Sequence, residues 1–229
     1  MADLAQRLSA IDAQIADAAR SAGRDAGEIT RIVVTKFHPA SLVSDLHALG
    51  VRDVGENRQQ ELTAKRGEVA LDGLRWHFIG QAQTNKAAAI RRSADAVHSV
   101  DRQKLADALH RAVETDADAY ELDVLVQVNL TDDPGRGGVG PDEAVRLAEH
   151  ILALPSLRLR GVMGVAPLDE DPAPAFERLR GISDSIRAME RDATWISAGM
   201  TGDFAEAVAA GATHLRIGSA ITGPRPDRG

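Results

Sequence analysis

The chain has 229 residues, is 44% hydrophobic and only 3% aromatic, and carries 27 Lys and Arg against 34 Asp and Glu, a formal charge of −7. Charges of both signs are scattered, so the sequence offers neither the basic face nor the stacking platform that nucleic acid requires. With no cysteine, it can build neither a disulfide framework nor a thiolate metal site, which fits a reducing cytoplasm.

No stretch approaches the roughly 18 consecutive apolar residues of a membrane span. The opening MADLAQRLSAIDAQIADAAR mixes acidic with apolar side chains, unlike a signal peptide. It predicts a surface helix with Leu4, Leu8, Ile11 and Ile15 on one face. Short β-branched runs then alternate with Ala-rich segments. Strands are expected at Arg31 to Lys36, Val51 to Gly55, Arg75 to Ile79, Ala96 to Ser99, Asp123 to Asn129, Arg158 to Gly164, Thr194 to Ser197 and His214 to Ile217. Helices are expected to start near Ala40, Asn57, Asn85, Arg102, Pro141, Ala173, Asp203 and Ser219, the last short and followed by the tail GPRPDRG.

Each expected strand is thus followed by a helix. Such units with right-handed crossovers close most economically into a barrel, with an open doubly wound sheet as the alternative. No Gly-, Pro- or Ser-rich linker divides the chain, and TDDPGRGGVG, before Pro141, sits where a fifth βα loop belongs. The expectation is an α/β fold, a (β/α)8 TIM barrel in a single domain, residues 1–229, with an extra N-terminal helix.

In such a barrel the loops at the strand C-terminal ends form the working face. Lys36 follows the run IVVT there. It is either a charge that snorkels to solvent or an amine whose desolvation favours the neutral form that condenses with an aldehyde. In SAGMTGDFAEAVAAGATHLRIGSAITG, Gly199 to Gly202 open one helix and Gly218-Ser219 open another. Glycines allow close backbone approach, helix N-termini present free N–H groups, and Thr201 and Ser219 add hydroxyls, so these turns suit a phosphate. Barrel phosphate sites commonly lie after strands seven and eight, and strand eight closes beside strand one. A ligand with its phosphate there could reach Lys36 with an aldehyde, the layout of pyridoxal 5′-phosphate (PLP). Arg216 would then face the pyridine nitrogen and keep it unprotonated, which weakens the ring as an electron sink.

Several motifs carry a resemblance over almost the whole chain: VVTKFHP, DVGENRQQE, WHFIGQAQTNK, HSVD, GRGG, GVMGVAP and the C-terminal glycine-rich segment, in that order. Together they resemble the pyridoxal phosphate homeostasis proteins. The resemblance implies a barrel like the N-terminal domain of alanine racemase, of PLP fold type III, with Lys36 as the Schiff-base lysine and Arg216 at the pyridine nitrogen. It further implies phosphate contacts from Thr201, Gly218 and Ser219, and Asn57 lining the pocket. His38, Arg136 and Arg58 depart from the Lys, Lys and Tyr frequent in the family, which puts in doubt any role for a second lysine; Ala82 replaces a frequent leucine.

His77 is read as at most a lining residue, and Ser197 and Met200 complete the expected cofactor contacts; His98, like His77, suits a satisfied core position. Glu56 suits equally an acid or base near the cofactor and a partner of a helix dipole. Met163 and Met200 read as filler, and Asp132 and Asp133 as stabilisers of a Pro-Gly turn. Nothing argues for a metal centre. The expected function is a cytoplasmic, monomeric carrier that holds PLP on Lys36 without efficient turnover, has no catalytic residue, and passes the cofactor to PLP-dependent enzymes. A racemase needs an opposing acid or base, which the resemblance places on a second domain for which the chain leaves no room after Gly218. The alternatives are a racemase-like enzyme, a Schiff-base aldolase using Lys36 on its own substrate, which would be colourless, and an interaction module.

Overall fold

The computed structural model describes residues 2–113, 120–131, 133–168 and 170–225; Asp132 and the last four residues of the tail lie outside them. The strands β1 (Thr30–Val34), β2 (Asp53–Glu56), β3 (Arg75–Phe78), β4 (Ala96–Val100), β5 (Leu122–Val128), β6 (Leu157–Gly164), β7 (Trp195–Ser197) and β8 (His214–Ile217) form one closed barrel in sequence order. All pairs are parallel, and β1 closes on β8 with Val33 opposite Ile217. The helices are α1 (Ala2–Ser21), α2 (Ala40–Ala48), α3 (Gln59–Glu68), α4 (Ala87–Ser93), α5 (Gln103–Arg111), α6 (Pro141–Leu152), α7 (Pro172–Arg187), α8 (Phe204–Ala209) and α9 (Ser219–Thr222).

Strand alternation divides the core in two. Outward positions such as Val33, Val54, Phe78, Val97, Val124, Val126, Val162, Ile196 and Leu215 merge with the apolar faces of the helices into one large cluster. Ala96, Leu125, Met163 and Trp195 form a small separate cluster inside the barrel. The rest of the interior is strongly polar, with His77, His98, Asp123, Ser197, His214 and Arg216 all buried. At the N-terminal mouth Trp195 lies between two guanidinium groups, Arg75 at 5.1 Å and Arg160 at 4.8 Å from its ring centre. Asp123 ties this plug together, accepting from Arg75 at 2.7 Å and Arg158 at 2.6 Å.

The leading helix buries Leu4, Leu8, Ile11 and Ile15 as expected, with Ala19 added, and packs on α8 and α9. It therefore lies against the two helices that precede and follow β8, the strand that carries Arg216. Gly161 marks a register shift between β5 and β6; its φ is +144°, and a Cβ there would lie 1.9 Å from the Trp195 carbonyl oxygen. Among the described residues no helix is long and apolar enough to cross a membrane.

Candidate functional site

β1 ends at Val34, so Lys36 lies in the turn after the strand and not at its last position. The turn is tight: His38 N–H donates to the Thr35 carbonyl at 3.1 Å, and Phe37 adopts φ +70°, a left-handed conformation rare for an aromatic residue. An outside clamp holds it there. Lys65 of α3 donates to the Thr35 carbonyl at 2.8 Å and to Glu56 Oε1 at 2.6 Å; Thr35 Oγ1 donates to the same oxygen at 2.6 Å. Phe37 N–H donates to Glu61 Oε2 at 2.9 Å. Glu56 and Thr35 share the outward parity of Val54 and Val33, and Lys36 follows in the turn at the C-terminal mouth of the barrel. It is half-buried.

This placement resolves the two readings of Glu56. It is fully buried on the outer side of the sheet, paired with Lys65, and faces neither the barrel mouth nor a helix terminus. Burial pushes its carboxyl up, while the hydrogen bonds from Lys65 and Thr35 pull the other way. Nothing in the strand pattern marked Lys65, yet it lies one turn from buried Leu62 on the inner face of α3, the signal that could have found it.

Arg216 points into the barrel, where Nη1 donates to Ser197 Oγ at 2.6 Å and Nη2 to the Gly164 carbonyl at 2.9 Å. Burial pushes its guanidinium down to about 10, so it remains a cation at neutral pH. Ser197 Oγ is also 2.8 Å from His98 Nδ1. His77 is fully buried with both ring nitrogens engaged, Nδ1 with His98 and Nε2 with Asp53, each at 2.9 Å. Its contact with the mouth therefore runs through other side chains.

On the far side, Gly199 has φ +89°, and a Cβ there would be 2.8 Å from that of Ala207. Within the same turn Asp203 Oδ1 accepts Met200 N–H at 2.6 Å, which takes up one of the amides expected to face a phosphate; Thr201 stays exposed. The turn into α9 is open, with Ser219 exposed and Gly218 against Val34 of β1. Asn57 follows β2 with its Oδ1 buried and unpartnered, and the close approach of its carbonyl to residue 80 leaves room only for glycine there, since a Cβ would come within 1.9 Å. The structure thus gathers Lys36, Asn57, Gly218 and Ser219 at the C-terminal mouth, Arg216 beneath them, and Ser197 and His77 deeper still.

A family model described as alanine racemase, N-terminal domain, matches residues 7–226, so the class is the barrel of that domain. The chain belongs to the pyridoxal phosphate homeostasis protein family. The member from Mycobacterium tuberculosis is 40% identical, over 97% of this chain and 93% of that protein, and the Escherichia coli member is 35% identical over 98% of each. PipY of Synechococcus elongatus, solved with PLP bound, superposes with a TM-score of 0.84 at 30% identity, covering 96% of this chain and all of that one. The alanine racemase of Clostridium difficile, at 14% identity and a TM-score of 0.76 over 58% of its length, shares the fold.

Proposed function

We propose that this chain holds PLP reversibly on Lys36 through an imine and manages the supply of that cofactor, with no efficient turnover of its own. One observation carries the reading: the β1–β8 register, Val33 opposite Ile217, sets Lys36, Gly218 and Ser219 at one mouth over the inward-facing Arg216. The donor set fits the cofactor. Lys36 would hold the aldehyde carbon, and Thr201, Gly218 and Ser219 the phosphate. Asn57, with its unpartnered oxygen, and Met200 would line the ring, with Ser197 and His77 acting from behind Arg216.

When bound, PLP supplies an aldehyde that condenses with amines and a ring that withdraws electrons best when its nitrogen is protonated. A guanidinium can only donate, so Arg216 facing that nitrogen favours the unprotonated ring and mutes carbanion chemistry. Its two hydrogen bonds go to neutral oxygens, and among the described residues no carboxylate lies within 4.0 Å to neutralise it. On the outer side of the sheet, Glu56 is committed to Lys65 and Thr35. Glu56 is therefore not available as an acid or base at the cofactor, which supports a carrier over a racemase or aldolase. The recipients would be PLP-dependent enzymes, and we place the protein in the cytoplasm as a monomer.

The test is an absorbance titration of the protein with PLP, wild type beside Lys36→Ala, followed by amino-acid racemisation and aldol-cleavage assays. A protonated-imine band in the wild type alone, with rates no greater than those of free PLP, is the expected result. Turnover far above free PLP would overturn the carrier reading, and a colourless wild type would overturn the cofactor.

A further inference from the structure

A continuous line of hydrogen bonds runs from the N-terminal mouth of the barrel to Arg216. It begins at Asp53, the first residue of β2, whose side chain is 20% exposed, and passes to His77 on β3. From His77 Nδ1 it continues to His98 Nε2 on β4 at 2.9 Å, from His98 Nδ1 to Ser197 Oγ on β7 at 2.8 Å, and thence to Arg216 on β8. The final guanidinium nitrogen rests on the Gly164 carbonyl of β6. Three of these links join consecutive strands, the one from His98 to Ser197 crosses the barrel interior from β4 to β7, and none of the middle members reaches solvent.

In a line whose histidines are neutral, donor inventories fix the direction of every link. Arginine can only donate and a carboxylate can only accept. Burial pushes the Asp53 carboxyl up, but the hydrogen bond from His77 and the charge of Arg75 outweigh it and hold Asp53 low, so it is an anion. Burial, with the charge of Arg216, holds His98 neutral. His77 must therefore give its Nε2 proton to Asp53 and, when neutral, accept at Nδ1 from His98 Nε2–H. His98 then accepts at Nδ1 from the Ser197 hydroxyl, which leaves the lone pairs of Ser197 Oγ for Arg216. The opposite order in a neutral chain would aim a His77 lone pair at the Asp53 carboxylate.

We infer that Asp53, His77 and His98 are positioning residues for Arg216: the anion at the far mouth orders the protons of the line, the line fixes the Ser197 hydroxyl, and Ser197 with Gly164 locks the guanidinium plane. Without the ordered line the serine hydroxyl is free to rotate, and a guanidinium held by one rigid acceptor in place of two can swing. That Arg216 then presents to a cofactor ring rests on the function proposed above; the ordering of the line does not.

The experiment is nitrogen-15 NMR of the side chains in uniformly labelled protein without PLP. Wild type is expected to show His98 as the single tautomer protonated at Nε2, and separate, slowly averaging Nη signals for Arg216. In Asp53→Asn, which keeps the shape and removes the charge, His98 is expected to show mixed tautomers and the Arg216 signals to coalesce at lower temperature. With PLP added, the pH midpoint of the bound-cofactor band is expected to shift between the two proteins. A wild-type His98 protonated at Nδ1 overturns the inference even if no variant folds. So does a folded Asp53→Asn whose His98 and Arg216 signals match wild type. Ordered signals that respond to Asp53→Asn in a protein that takes up no PLP support the line and defeat the cofactor reading; a Lys36 adduct beside unresponsive signals does the reverse.

Discussion

Replacing Lys65 by methionine keeps the aliphatic stem of a buried side chain and removes its ammonium, leaving Glu56, at 0% exposure, with only the Thr35 hydroxyl. Breaking a buried pair from one side costs about 3–5 kcal/mol, because the remaining charge is uncompensated. Glu56 can escape by taking a proton, so the cost depends on pH. Burial already raises its folded-state pKa, and loss of the ammonium raises it further, while the unfolded value stays near about 4.3. A carboxyl raised on folding contributes its stability in full below the unfolded pKa and loses it as pH rises through the folded one. The deficit of Lys65→Met against wild type should therefore be smallest near about pH 5 and widen upward by at most about 1.4 kcal/mol per unit. Urea unfolding midpoints across that range read it directly, and adding Glu56→Gln should remove the pH-dependent part. The variant also frees the Thr35 carbonyl beside Lys36, so cofactor uptake should weaken even where the protein is folded. A deficit below about 1 kcal/mol, or one flat in pH, would refute the claim that Glu56 depends on Lys65.

His214 is held neutral by burial, its pKa pushed down to about 3. A histidine depressed on folding gives stability that is full above its unfolded value and is lost as pH falls from there toward the folded value. Wild type should thus weaken below about pH 6.5, and His214→Phe should flatten that slope by up to about 1.4 kcal/mol per unit in denaturant titrations. Gly161→Ala drives a methyl to within 1.9 Å of the Trp195 carbonyl; calorimetry should show Tm lower by several degrees, about 2–4 °C for each kcal/mol lost. Asn57→Ala removes an oxygen that has no partner in the protein, so stability should change by less than about 0.5 kcal/mol while PLP affinity, measured by fluorescence titration, falls.

The barrel was legible because its strands pack outward on helices, so Val, Ile and Leu recur at alternate positions wherever a strand lies. Boundaries were less so. Val51, read as the start of the second strand, instead closes the turn after α2, its N–H on the Leu46 carbonyl, and Lys36 sits past the strand it was read to end. Helices three and four begin at Gln59 and Ala87, with a 3-10 turn, Thr84–Lys86, filling the gap before the latter. At the site, Lys36, Gly218, Ser219 and Arg216 could be read because chain order alone brings the first and last strands of a closed barrel together. Glu56 could not, because its side of the sheet depends on parity at the strand end. Nor could the pairing of His77 with His98, which needs the cross-strand register, nor the capture of the Met200 amide by Asp203, which is a matter of one loop's conformation.

The most direct measurement is borohydride reduction of the protein mixed with PLP, followed by mass-spectrometric mapping of the modified peptide. A single pyridoxyl adduct on Lys36, absent from Lys36→Ala, is the predicted result. No adduct, or one spread over surface lysines, would contradict the account at its centre.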